Sequence, residues 1–269
     1  MSTSFGFIGT GNMGGALARA ACRSVPPRQV LLANRTPVKA ERLAVELGAT
    51  PSDNQTIARE SCQIFLGVKP QMMGDLLASL APILAQRADH FVLVTMAAGL
   101  SMETIQSMAG GAYPVIRIMP NTPASIGQGM ILYTCGEGVT AADRTTFLYL
   151  MAGAGRLSEL PEHLIDAGSC VSGCGPAFAD LFLEALADGG VACGLPRAVA
   201  LELAGQMLAG SAQLMLTTHT HPGILKDDVC SPGGTTIQGV RTLEQRGFRA
   251  AVMDAVIAAY DKTKALSKS

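Results

Sequence analysis

Two glycine-bearing turns hold the residues whose types and spacing could do chemistry. The first is SFGFIGTGNMGGALARA, from Ser4 to Ala20, with Gly9, Gly11 and Gly14 in G-x-G-x-x-G. An apolar run that reads as a strand precedes it, and a helical stretch from Asn12 to about Cys22 follows. In that setting Gly9 makes the tight turn, Gly11 lets backbone approach a pyrophosphate, and Gly14 lets helix and strand pack closely. The helix N-terminus then faces the phosphates. The alternative is an ordinary strand-to-helix turn. The second turn is SPGGTT, from Ser231 to Thr236. Gly233 and Gly234 leave backbone N–H groups unobstructed before a helix, an anion nest suited to a carboxylate. Ser231, Thr235 and Thr236 add hydroxyls. The bland alternative is a capped turn.

The end of the second apolar run bears on which dinucleotide fits. A carboxylate there, about 20 residues past the glycines, accepts from a ribose 2′-OH in NAD sites. This chain has Asn34-Arg35-Thr36 instead. No carboxylate repels a 2′-phosphate, Arg35 can meet one with a charge-assisted fork, and Asn34 and Thr36 can donate. That favours NADPH, with NADH weaker, over a reading of Arg35 as a solvated loop residue.

The elements that must position these turns fall into two halves. Apolar strand-like runs occur at FGFIG from Phe5, VLLAN from Val30, CQIFLGV from Cys62, FVLVT from Phe91, VIRIM from Val115 and MILYT from Met130. Helical stretches separate them, one of them finishing at Gly48. Apolar strands alternating with helices predict a doubly wound parallel sheet covered on both faces, a Rossmann-type α/β domain. After about Leu160 no strand run recurs. Helical stretches are expected over Pro176–Gly190, from Pro196 to about Thr217, and from Gly234 to about Leu266. The first two are apolar nearly all round, which in water demands burial. A second subunit is therefore expected to cover them. The boundary falls at 1–160 for the dinucleotide domain and 161–269 for an all-helical dimerisation and substrate domain.

Composition narrows the classes. The 269 residues are 48% hydrophobic and 15% charged, with net charge −1. No basic field or lysine/arginine block recruits nucleic acid. Apolar runs are broken by Gly, Pro or charge before about 18 residues, which argues against a membrane span, and no signal peptide precedes the first strand. The seven cysteines show no C-x-x-C pair and read mostly as small core residues in a reducing compartment. His219-Thr220-His221 reads as a helix-terminal loop, and no metal site is expected.

Four blocks carry a more specific signal. LKDDVCSPGGTTIQGVRTLEQRGFR from Leu225, DAGSCVSGCGPAFADLFLEALADGGVACGLPR from Asp166, VIRIMPNTP from Val115 and LGVKP from Leu66 lie in order along nearly the whole chain. Together they resemble the pyrroline-5-carboxylate reductase family. The resemblance implies a Rossmann domain and a helical domain interlocked with a second subunit, cytoplasmic, at least a homodimer and by family habit a ring of dimers. It implies reduction of a small cyclic imine to L-proline by a nicotinamide cofactor, so neither a metal nor a side-chain nucleophile is required. It assigns Ile8, Gly9, Thr10, Gly11, Asn12 and Met13 to the pyrophosphate turn and Asn54 to the adenosine end. Val68, Lys69 and Pro70 lie along the cofactor, and Ala97, Ala98, Gly99, Met119, Pro120 and Asn121 near the nicotinamide. Lys69 reads as a phosphate or ribose contact rather than an acid. Thr236 stands beside the ring nitrogen, Glu162 matches an acidic position of the substrate side, and Ser169 is a second hydroxyl donor where a Thr is usual. Cys174 and Phe178 replace the family's usual Ser and Tyr, so neither hydroxyl is essential. Asp228 stands where Asn or an apolar residue is common. Two other readings stay open: a related imine or hydroxyacid reductase of the same plan, and a non-catalytic NADP-binding regulator.

Overall fold

In the computed structural model, which describes residues 4–266, the apolar runs become β1 (Phe5–Ile8), β2 (Val30–Ala33), β4 (Gln63–Leu66), β5 (Val92–Thr95), β6 (Val115–Met119) and β7 (Gly129–Cys135). Two further strands, β3 (Thr50–Pro51) and β8 (Gly155–Glu159), extend the sheet to the order β3-β2-β1-β4-β5-β6-β7-β8. The connecting helices are α1 (Asn12–Ser24), α2 (Pro37–Leu47), α3 (Asn54–Glu60), α4 (Met73–Leu84), α5 (Met102–Ala109) and α6 (Ala141–Met151). Successive side chains of a strand point to opposite faces. Phe5 and Phe7 of β1 and Phe65 of β4 therefore join Leu17 of α1 and Phe147 of α6 in one apolar layer. Ile8 of β1 and Ile64 and Leu66 of β4 join Ile57 of α3 and Leu77 of α4 in the other. The Phe7 and Phe65 rings stack with centroids 4.3 Å apart.

The sheet is parallel except where β7 runs antiparallel to β6. This corrects the all-parallel expectation. Met119 and Gly129 are joined by a short stretch containing one 3-10 turn, Thr122–Ile126. A parallel return needs a crossover of a dozen residues or more. The missed strands have their own reasons. β3 has two residues and β8 reads GRLSE, a polar sequence suited to a sheet edge.

The helical remainder comprises α7 (Glu162–Ser172), α8 (Gly175–Ala192), α9 (Arg197–Thr218), α10 (Pro222–Asp228), α11 (Thr235–Gln245) and α12 (Phe248–Leu266). The single helix expected from Gly234 is two, broken at Gly247, whose φ of +74° is the left-handed conformation that ends helices. His219 ends α9 in the left-handed region, and the His221 ring accepts from the Gly223 N–H at the start of α10. The chain forms two compact units: residues 4–174 with α12 from Ala259 onward, and Gly175–Ala258.

In the second unit α8 packs on α9, yet only Ala187 of α8 and Ala200 and Ala204 of α9 are buried. Leu181 is 67% exposed and Leu203 56%. Glu162–Ala192 and Arg197–Thr218 are long and apolar enough to cross a membrane by length and composition. The expectation was that Gly, Pro or charge would break such runs before about 18 residues; the first stretch comprises α7 and α8, with a break at 173–174, and α8 continues through Gly189 and Gly190. Most of the cysteines lie in or against the core, as expected, with Cys193 an exception. Cys170 is buried, Cys22, Cys62 and Cys135 are half-buried against the core, and Cys193 is exposed.

Candidate functional site

Parallel strands in register place their carboxyl ends on one rim. β1 lies between β2 and β4, the point where the strand order reverses and where such sheets hold ligands. The segments Ile8–Met13, Asn34–Thr36, Val68–Pro70, Ala97–Gly99 and Met119–Asn121 each follow or end one of these strands, so the structure brings them to that rim. Asn54 opens α3 just past the end of β3. Beside it Asp53 caps α3, and the Thr56 N–H holds the Asp53 carboxyl below its ordinary range.

The glycine turn is built as the spacing predicts. Gly9 has φ +95° and its N–H donates to the Ala33 carbonyl at 2.8 Å. A Cβ on Gly14 would stand 2.0 Å from the Gly9 carbonyl oxygen, so only hydrogen fits there. Gly11 is the opposite case. It is the N-cap of α1 at φ −72°, and a Cβ there meets nothing within 4 Å. Nothing in the chain requires a glycine at that position, and the space in front of its backbone is open. Two other features agree. No side chain caps α1, leaving its first N–H groups to an outside acceptor. The Thr10 hydroxyl is buried without a hydrogen-bond partner. A cleft of about 400 Å³ opens beside this turn, lined by Thr10, Gly11, Asn12, Lys39, Arg42 and Ser125 among others. The donor set therefore fits a dinucleotide pyrophosphate.

At the end of β2 the side chains divide their work. Asn34 Oδ1 accepts from the Thr10 N–H at 3.2 Å and its Nδ2 donates to the Thr36 carbonyl at 3.2 Å. Asn34 thus braces the turn, and the second hydrogen of its Nδ2 is the one the expected donation would use. Arg35 is exposed, with Nη1 3.9 Å from Met72 Sδ, and Thr36 is exposed beside it. Lys69 is exposed at the end of β4.

Around β6, Met119 and Pro120 are buried and Asn121 is spent on the fold. Asn121 Oδ1 accepts from the Met130 N–H at 2.8 Å and Nδ2 donates to the Ser172 carbonyl at 2.9 Å. Glu162 opens α7 and accepts from the Met102 N–H at 2.7 Å. Ser169 is half-buried on the same helix. A residue the sequence reading passed over sits among these. Arg117, inside the quoted VIRIM run, is 3% exposed and reaches Asp166 Oδ1 at 2.6 Å. A charge in the middle of an apolar strand is the signal that could have found it, since a buried guanidinium needs a partner.

The second turn lies in the second unit. Gly234 caps α11 with no side-chain cap, and Gly233 has φ +69° with open space where a Cβ would be. Ser231, Gly233, Thr235 and Thr236 are exposed. One part of the nest differs from expectation: the Gly234 N–H donates to the Ser231 carbonyl at 3.0 Å, closing the turn on itself. That leaves the Gly233 N–H and those of the first turn of α11 to the expected nest.

A wider cleft, about 960 Å³, lies elsewhere, near Ser4, Arg28, Leu31, Arg59 and Arg87 at the amino ends of the strands. Arg87 there is committed to the Ala58 and Ser61 carbonyls and to Asp89.

The family model described as pyrroline-5-carboxylate reductase dimerisation matches residues 162–266, and one described as NADP oxidoreductase, coenzyme F420-dependent, matches residues 4–99. The chain is 42% identical to a pyrroline-5-carboxylate reductase of Glycine max over 99% of this chain and 97% of that one. It is 39% identical to that of Escherichia coli over the full length of both. A crystal structure of the Plasmodium falciparum enzyme with NADP bound superposes with a TM-score of 0.86 at 30% identity, covering 99% of this chain and 98% of the other. With its glycine turn, its rim and its S-P-G-G-T-T turn all falling within these full-length matches, the chain belongs to the pyrroline-5-carboxylate reductase family.

Proposed function

We propose that the protein reduces the C=N bond of 1-pyrroline-5-carboxylate to give L-proline, using NADPH in preference to NADH. The observation that carries this reading is Gly11, open to solvent in a conformation any residue adopts, at the uncapped start of α1. When bound, the nicotinamide cofactor supplies the hydride to the imine carbon. The chain's own residues bind, orient and donate. Backbone N–H groups of Gly11, Asn12 and Met13 and the buried Thr10 hydroxyl hold the pyrophosphate. Arg35 and Thr36 hold the 2′-phosphate, with Asn34 bracing the turn behind them. Ile8, Gly9, Asn54, Val68, Lys69 and Pro70, and Ala97, Ala98, Gly99, Met119, Pro120 and Asn121 complete the cofactor rim.

In the second turn, Gly233 and the first N–H groups of α11 take the substrate carboxylate, with Ser231, Gly234 and Thr235 shaping the loop. The imine nitrogen is one carbon from that carboxylate. A hydroxyl on Thr236, at the second position of α11, therefore reaches the nitrogen as it gains basicity. Ser169 is the second donor, and Glu162 belongs to the substrate side through α7. We assign residues 1–160 to the cofactor domain and 161–269 to the dimerisation and substrate domain. The exposed apolar faces of α8 and α9 are read as covered by a second copy rather than by lipid, in a cytoplasmic dimer that assembles further into a ring. No nucleic acid partner is assigned.

The test is Thr236→Ala. Its turnover number falls by about tenfold or more, equivalent to about 1.4 kcal/mol, with little change in NADPH affinity, while Thr236→Ser keeps most activity. A change confined to KM for the imine makes Thr236 a uniform binder and moves the proton donor to Ser169 or water.

A further inference from the structure

Arg117 stands at the centre of β6, where every residue is buried. Its Nη2 donates to Asp166 Oδ1 at 2.6 Å, its Nη1 lies 3.7 Å from Glu162 Oε1, and its Nε is buried without a partner. Both carboxylates are on α7, four residues apart and so on one face. Glu162 also accepts from the N–H of Met102, the first residue of α5, three positions past the Ala97–Gly99 segment. At the far end of α7 the Ser172 carbonyl accepts from Asn121. Between these bonds Ile165 is fully buried with Met119 and Leu132. α7 is thus tied from first turn to last to the segments that end β5 and β6.

Ile165 alone could hold α7 to the sheet by apolar contact. Replacing a buried ion pair by well-packed apolar residues is often neutral or stabilising, so stability does not explain Arg117. What a guanidinium fork adds is direction: it fixes the axial position of α7 against the rim. We propose that Arg117 is a positioning residue, holding α7, and with it Ser169, in fixed geometry against the Ala97–Gly99 and Met119–Asn121 segments where the reaction is assigned. This rests on the function proposed above. A misplacement of about 1 Å can cost on the order of a hundredfold in rate, which a shift of α7 along its axis readily produces.

The test uses R117M/D166L, which removes both charges and refills their space, alongside R117K. The double variant is expected to unfold at or near the wild-type temperature. Its turnover number falls by about tenfold or more, with KM for NADPH within about threefold, and R117K recovers part of the rate. Hydrogen exchange is read without substrate in the same proteins. Amides of residues 97–102 and 162–172 exchange about tenfold faster in the double variant, a local opening of the kind exchange resolves, while β1 to β4 are unchanged. Wild-type turnover in the double variant, or unchanged exchange in those two segments, overturns the proposal. If the wild-type protein itself does not reduce 1-pyrroline-5-carboxylate, the proposed function fails, and the exchange comparison still decides whether Arg117 fixes α7.

Discussion

At the scale of single residues, the two glycines of the first turn make opposite demands, and a pair of substitutions separates them. Gly14→Ala forces a Cβ to within 2.0 Å of the Gly9 carbonyl oxygen. It should destabilise the fold by about 1–3 kcal/mol, the usual scale of overpacking. Gly11→Ala meets open space and should leave Tm unchanged while weakening NADPH binding by about tenfold, or 1.4 kcal/mol. Tm and cofactor titration on both proteins check this, and full NADPH affinity in Gly11→Ala would remove the reason for a glycine there. Arg35 follows the same logic on the cofactor's other end. Arg35→Ala loses a charge-assisted contact worth about 1.5–3 kcal/mol, so KM for NADPH should rise roughly tenfold to a hundredfold. KM for NADH should barely move; an equal rise for both means Arg35 does not read the 2′-phosphate. The packing roles of Gly9 and Gly14 were legible in the sequence because each is set by local backbone geometry. The bracing role of Asn34 and the Arg117–Asp166 pair were not, since both depend on neighbours 24 and 49 positions away along the chain.

At the scale of elements, the strands with continuous apolar runs were legible and the two without them were not. β8 carries Arg156, Ser158 and Glu159 on a sheet edge, so no apolar run announces it. The direction of β7 could have been read from the short link after Met119, because connection length, not strand composition, sets parallel or antiparallel pairing. The break between α11 and α12 rests on one glycine at positive φ inside a stretch of otherwise helical pattern. The helices α8 and α9 bear the clearest consequence. Leu181 and Leu203 are exposed, and covering a leucine stabilises by about 1.5–3 kcal/mol. Leu181→Glu with Leu203→Glu should therefore shift the protein from dimer toward monomer or aggregate in light scattering. An unchanged mass places the interface on some other face.

For the whole molecule, the apolar faces of the second unit and the open backbone donors of the first enter the proposed reading together: in it, a second copy covers the former and a dinucleotide the latter. Obligate interfaces of this kind bury upward of about 2,000 Å². The domain plan was legible because the change from strand-helix alternation to unbroken helix marks it in the sequence, whereas the edge of the first unit at Cys174 is set by α7 packing back on β6 and β7, a tertiary fact. The central claim concerns what the assembled protein does, and the measurement that tests it most directly is product stoichiometry. Purified protein is mixed with 1-pyrroline-5-carboxylate and NADPH, and both NADPH loss and L-proline are quantified. The account predicts one L-proline formed for each NADPH oxidised, at a rate lowered by Thr236→Ala. Tight NADPH binding with no L-proline formed would contradict it.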